Sequence, residues 1–182
     1  MSQTPTLPPP QNAPPTASEG PAEALAKRPA KDPAKSGRRR SREFALQGVY
    51  QWLLSRADVA DVEAHIREQD DFGKCDRAHF DALLQGVIEQ ADILSKTLAR
   101  YIDRPMSQIS PVEHAVLMIG AYEMQHCLDI PYRVALNEAV ELAKTFGGTD
   151  GHKFVNGVLD KAAAEFRPGE ARQANRGPRR AT

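Results

Sequence analysis

Arg38, Arg39, Arg40 and Arg42 fall within five residues and run into the aromatic pair Tyr50 and Trp52, in the stretch RRRSREFALQGVYQW. Guanidinium groups are planar, permanently charged and able to donate two parallel hydrogen bonds, which suits them to phosphate. A cluster of them can neutralise a nucleic-acid backbone, and aromatic faces add a stacking surface for unpaired bases. A basic run alone is as readily a solvated tail. This one continues into a segment with helical periodicity, which would hold its charges in a fixed place.

Three other constellations could carry chemistry. Glu123 and His126 have the Glu-x-x-His spacing that puts a carboxylate and an imidazole on one helix face, as in di-iron bundles. Such a centre needs a second copy of the motif, which the sequence lacks. No metal is therefore expected, and His126 reads as a helix-end residue serving the last carbonyls. The glycine-bearing turn from Gly147 to Lys153 lacks the Gly-Lys-Ser/Thr ending of a phosphate loop and follows a helical pattern rather than a strand. What survives is a helix N-terminus bearing Lys153, which could receive a backbone phosphate. Cys127 adjoins His126, but successive helical side chains point apart. His65, His79, His114 and His152 form no cluster in sequence. These residues predict neither an enzyme nor a cofactor.

The elements that must position these groups all have helical spacing. Ala45, Leu46, Val49, Trp52 and Leu53 share one face of a first helix, and Val59, Val62 and Ile66 give a short second stripe from about Asp58. A third, the longest, is capped by Asp76 and runs from Phe80 through Leu83, Leu84, Val87, Ala91, Leu94 and Leu98 to Tyr101. Pro105 interrupts the pattern over 103–109. Ser110-Pro111-Val112-Glu113 then starts a fourth helix, with Ser110 as cap, Pro111 at the first position and Glu113 completing a capping box. Pro131 opens a fifth, ended by Gly147 and Gly148, and Thr149 or Asp150 can cap a sixth that stops at Arg167-Pro168. An all-α fold follows, of about six to seven helices in two packed three-helix halves sharing one core.

Composition sets the boundaries. Residues 1–37 hold most of the 14 prolines and almost no large apolar side chains. Such a segment cannot offset its ordering entropy, and it is expected to be disordered, as is 168–182. Residues 38–167 remain as one helical domain. The formal net charge is zero, yet residues 1–42 carry +5, residues 167–182 carry +4 and the middle carries −9. An acidic body with basic ends suits RNA at one edge and a basic protein elsewhere. Two cysteines are too few for a disulfide framework, and neither a signal peptide nor a membrane-length apolar stretch is present. The expected compartment is the cytoplasm.

NEAVELAKTFG at 137–147, HKFVNGVLDK at 152–161 and RRRSREFALQ at 38–47 together resemble the NusB family of bacterial transcription antitermination factors, over about 38–168. The resemblance implies two three-helix bundles and binding to the single-stranded boxA element of ribosomal RNA transcripts. It also implies a heterodimer with NusE, a small-subunit ribosomal protein, acting with other Nus factors on the RNA polymerase elongation complex so that it reads through terminators. Residue by residue, Arg38, Arg39, Arg40 and Arg42 match the RNA-contacting start of the family. Tyr50 matches its base-contacting aromatic, Lys153 and Phe154 its RNA-facing last helix, and Glu113 a partner-facing acid. On this basis the arginines, Tyr50, Lys153 and Phe154 form one composite RNA edge. The acidic body suits a basic ribosomal protein, because opposite potentials speed encounter. Without its partner, such a surface can self-associate into a homodimer. The alternative reading is a targeting module for ribosomal RNA modification, since similar domains occur fused to methyltransferases. That would need a cofactor-binding α/β segment, which the sequence to Thr182 does not contain.

Overall fold

Helices begin where a side chain can satisfy the free amides of a first turn. Asp58, Asp76 and Ser110 each do so, accepting from the amides of Ala60, His79 and Glu113. A computed structural model of the chain describes residues 37–175, and all that follows concerns those residues. They form α1 (Gly37–Ser55), α2 (Val59–Arg67), α3 (Arg77–Glu89), α4 (Ala91–Ala99), α5 (Pro111–His126), α6 (Tyr132–Phe146), α7 (Gly151–Phe166) and α8 (Pro168–Asn175). Short 3-10 turns occupy Phe72–Lys74 and Met106–Gln108. The described residues contain no strand, in line with the all-α expectation. No helix among them is long and apolar enough to cross a membrane.

The chain divides into α1–α3 and α5–α7, with α1 and α5 packed along the seam and α4 lying against α5. One continuous apolar core fills both halves. Leu46, Val49, Phe80, Leu84, Val116, Ile119, Val155 and Leu159 are all essentially inaccessible. The helices approach closely where a side chain is missing. At Gly120 in α5 an added Cβ would lie 2.7 Å from Leu159 Cδ1 and 3.2 Å from the Ala139 Cβ, so glycine sets the spacing of α5, α6 and α7.

Two expectations are corrected. The long third helix is two, because Gln90 leaves helical geometry (φ −103°, ψ 12°) and separates α3 from α4. The break faces the end of α5, where the Gln90 side-chain carbonyl meets His126 Nε2 at 3.0 Å. Tyr122 stacks on the His126 ring and lies over Gly86. His126 therefore braces this joint rather than serving helix-end carbonyls.

The second correction concerns residue 168 onward, expected to be a disordered tail from that point; residues 168–175 instead form α8. Buried Arg167 donates to the carbonyls of Met124, Cys127 and Ile130, and pairs with Glu170. Glu170 in turn accepts from the amide of Tyr132 and so caps α6. Residues 1–36 and 176–182 lie outside the described residues, and with them the rest of the expectation for the two tails.

The tight approach at Gly120 gives a test. Gly120→Ala gains helix propensity of up to ~1 kcal/mol but overpacks a closed site at a cost of about 1–3 kcal/mol. The expected net result is a loss of about 1 kcal/mol in urea unfolding, with an unchanged helical spectrum; a variant more stable than wild type would contradict the packing described.

Candidate nucleic-acid interface

Along the first two turns of α1 the arginines become progressively less accessible. Arg38, Arg39, Arg40 and Arg42 retain 45%, 32%, 17% and 4% of their side-chain exposure. The first three rim one end of the protein and the fourth points inward. Each rim guanidinium faces a carboxylate. Arg38 lies 2.8 Å from Asp129 and 3.6 Å from Asp76, Arg39 lies 3.7 Å from Glu43, and Arg40 lies 3.6 Å from Asp71. The start of α1 is also stitched to α3. The Asp76 amide donates to the Gly37 carbonyl, and the buried Ser41 hydroxyl lies within hydrogen-bonding reach of the Gly37 and Asp76 carbonyls.

The arrangement departs from what helix stability alone would select. The first turn of α1 has no acid and several cations, although the N-terminal end of a helix dipole is positive and disfavours them. The neighbouring carboxylates compensate. The hydrogen bond from Arg38 holds the Asp129 carboxyl below its ordinary range, and the same contact raises the guanidinium.

Arg42 is corrected from surface contact to buried anchor. Its Nε lies 2.9 and 3.0 Å from the two oxygens of Glu123, and its Nη2 lies 2.7 Å from one of them. Glu138 of α6 stands 3.4 Å from Nη1. His79 of α3 puts Nε2 2.9 Å from the same Glu123 oxygen, off the line of a good hydrogen bond. Burial pushes the Glu123 carboxyl up, but His79 and Arg42 outweigh it and hold it below the usual carboxylate range. Tyr50 is likewise corrected. It is 2% exposed, its hydroxyl has no hydrogen-bond partner within the protein, and it can offer no face to a base. Trp52 is half-buried against the core, with the Arg56 guanidinium 4.5 Å over its ring.

Lys153 and Phe154 stand at the start of α7. Lys153 is 73% exposed and pairs with Asp150, whose side chain does not cap the helix. Phe154 is half-buried, with Arg104 4.8 Å over its ring. A shallow pocket of about 160 Å³ beside it is lined by Tyr101, Asp103, Lys153 and Lys161 among others. The Glu113 carboxylate accepts from the Ser110 hydroxyl, the Glu113 amide donates back to the same hydroxyl oxygen, and the other carboxylate oxygen lies against Gly151, at the same end of α5.

Glu123 and Glu113 are ten residues apart on α5, or about 15 Å at the rise of an α-helix. The arginine rim lies toward the Glu123 end of α5 and the Lys153–Phe154 group toward the Glu113 end. Glu141 on α6 lies between them, its carboxyl influenced by Lys144, Arg39 and His152. Arg104 and Tyr101 were not anticipated, since nothing in local spacing links the 101–104 segment to α7.

Nucleophilic and metal chemistry find no support in the residues that could supply them. Burial pushes the Cys127 thiol up to about 11, which leaves it almost wholly protonated at neutral pH. Glu123 and His126, the Glu-x-x-His pair, are engaged with Arg42 and Gln90 respectively. No group of His, Cys, Asp or Glu suited to a metal occurs among the described residues.

The described residues form an all-helical fold that carries a cationic rim at the start of α1. The chain belongs to the NusB family, whose members are transcription antitermination factors and not enzymes: the model of that family matches residues 39–164. A transcription antitermination protein NusB of Ralstonia nicotianae is 60% identical over 132 residues, 72% of this chain and 85% of that protein. The Bordetella pertussis protein of the same name is 54% identical over 145 residues, 78% of this chain and 94% of the relative. The solved T. maritima NusB superposes with a TM-score of 0.67 at 31% identity, covering 76% of this chain and 99% of that one.

The buried pair predicts a pH dependence. The folded-state pKa of Glu123 is depressed, so its contribution to stability is full above the ordinary glutamate value of about 4.3 and is lost as pH falls through the folded value. Glu123→Gln should flatten the acid limb of a stability–pH profile measured by urea unfolding. Removing the partner instead, as Arg42→Ala, should cost about 3–5 kcal/mol at neutral pH, because an unpaired carboxylate is left buried. Equal acid sensitivity in Glu123→Gln and wild type would contradict this.

Proposed function

We propose that the protein binds the single-stranded boxA element of ribosomal RNA transcripts jointly with the ribosomal protein NusE, and in that complex helps RNA polymerase elongate through terminators. The observation that carries the reading is the cationic rim at the start of α1. Three guanidiniums stand where the helix dipole disfavours them, while a phosphate in the same place would be favoured by both the dipole and the charges. Family membership supports the antitermination role. In this reading Arg38, Arg39 and Arg40 attract the backbone, and Lys153 and Phe154 take a second stretch of the strand. A single strand is flexible enough to visit both, and stacking on Phe154 would supply the choice of base that phosphate contacts cannot.

NusE would meet the acidic body, with Glu113 at the contact. Glu113 is half-buried and held by Ser110, so it would present a fixed carboxylate to a basic partner. The complex would work in the cytoplasm with the other Nus factors, and the NusE-facing surface could pair with a second copy when NusE is absent.

Three phosphate contacts give a salt slope of roughly −2 for a single strand, at about −0.7 per contact. Arg39→Ala combined with Arg40→Ala should weaken boxA binding and flatten that slope by about 1.4, with the helical fold intact. An unchanged affinity and slope in filter-binding titrations across salt concentrations would remove these arginines from the interface.

A further inference from the structure

The carboxylates around the rim come from separate parts of the chain. Asp76 caps α3, Asp71 precedes the 3-10 turn, and Asp129 lies in the turn between α5 and α6. Asp129 makes the shortest contact, 2.8 Å to Nη1 of Arg38, although 91 residues separate the two in sequence. Its position is not incidental. Arg167, buried beneath the same turn, grips the carbonyls of Cys127 and Ile130 on either side of Asp129. The turn is fixed from behind and presents its carboxylate to the most exposed arginine of the rim.

We infer that Asp129 is a built-in competitor of RNA phosphate for Arg38, a residue that limits affinity for any strand placing a phosphate at this arginine. This rests on the RNA reading above. Both members of the pair are substantially exposed, at 45% and 61%, so the bond does little to order Arg38 and is readily exchanged for another anion. Exchange has a consequence, however. The fixed turn keeps the released carboxylate beside the incoming phosphate, where like charges repel. The penalty falls on every strand that places a phosphate at Arg38, so it lowers the contribution of charge and leaves the choice between strands to contacts elsewhere, such as stacking on Phe154.

Asp129→Asn tests the proposal, being isosteric and on the exposed side of a turn held by other residues. Binding of boxA RNA and of a scrambled single strand of equal length is measured at fixed salt for wild type, Asp129→Asn, Arg38→Ala and the double variant. Asp92→Asn, an exposed acid on α4, serves as a control for charge alone. Asp129→Asn should tighten both strands about two- to five-fold, the range of an exposed pair's coupling, leaving the ratio between the two RNAs unchanged. In the Arg38→Ala background the gain should shrink to that of Asp92→Asn. Unchanged or weaker binding by Asp129→Asn overturns the proposal while leaving the RNA reading intact, as does an equal gain with and without Arg38. A wild type that binds neither RNA contradicts the RNA reading and this proposal with it.

Discussion

A buried ion pair, Arg42 with Glu123, is the constraint around which the two halves are arranged. Arg42 comes from α1 in the first half and Glu123 from α5 in the second, and His79 of α3 and Glu138 of α6 complete the cluster. Removing charges from water is costly, and such a pair is tolerated only when its geometry satisfies both partners. Here the guanidinium takes both carboxylate oxygens, and the imidazole stands against one of them. This fixes the rotation of α1 about its own axis against α5. A rotated α1 would bury an unpaired charge, so the preceding residues Arg38, Arg39 and Arg40 have one direction left to face.

That orientation gives the rim its character. Cations at a helix N-terminus oppose the dipole, and the chain compensates with carboxylates drawn from the start of α3, the turn before it and the α5–α6 turn. Those turns are held in their own right, by Ser41 at one and by Arg167 with Glu170 at the other. The eighth helix thus belongs to the same construction: it steadies the turn that carries Asp129. At this end of the molecule the buried ion pair lies inside and the more exposed pairs lie outside.

Much of this was legible in the sequence. The helix starts at Asp58, Asp76 and Ser110 follow from capping chemistry, and the apolar stripes named the core. The long pattern from Phe80 to Tyr101 hid a break, because periodicity continues across a kink when both segments pack on the same core; only the tertiary contact of Gln90 with His126 marks it. The site was read less well. Arg42 lies three and four residues before Ala45 and Leu46, and Glu123 lies seven and four residues after Val116 and Ile119, so both fall on buried stripes. Opposite charges on two apolar faces are the signature of a buried pair. Tyr50 follows Leu46 by four residues and belongs to the core by the same argument. What spacing could not reveal were partners distant in sequence: Asp129 for Arg38, Arg104 for Phe154, and Arg167 for the α5–α6 turn.

The central claim is that Arg42 anchors the rim without touching RNA. It is tested most directly by the salt dependence of boxA binding in a variant carrying Arg42→Met together with Glu123→Gln. This removes both charges of the pair while leaving His79 an amide to face. A slope equal to that of wild type, about −2, is expected, since all three arginines proposed to meet phosphate remain. A slope shallower by about 0.7, one phosphate contact, in a variant that still folds would place Arg42 at the RNA and contradict the account.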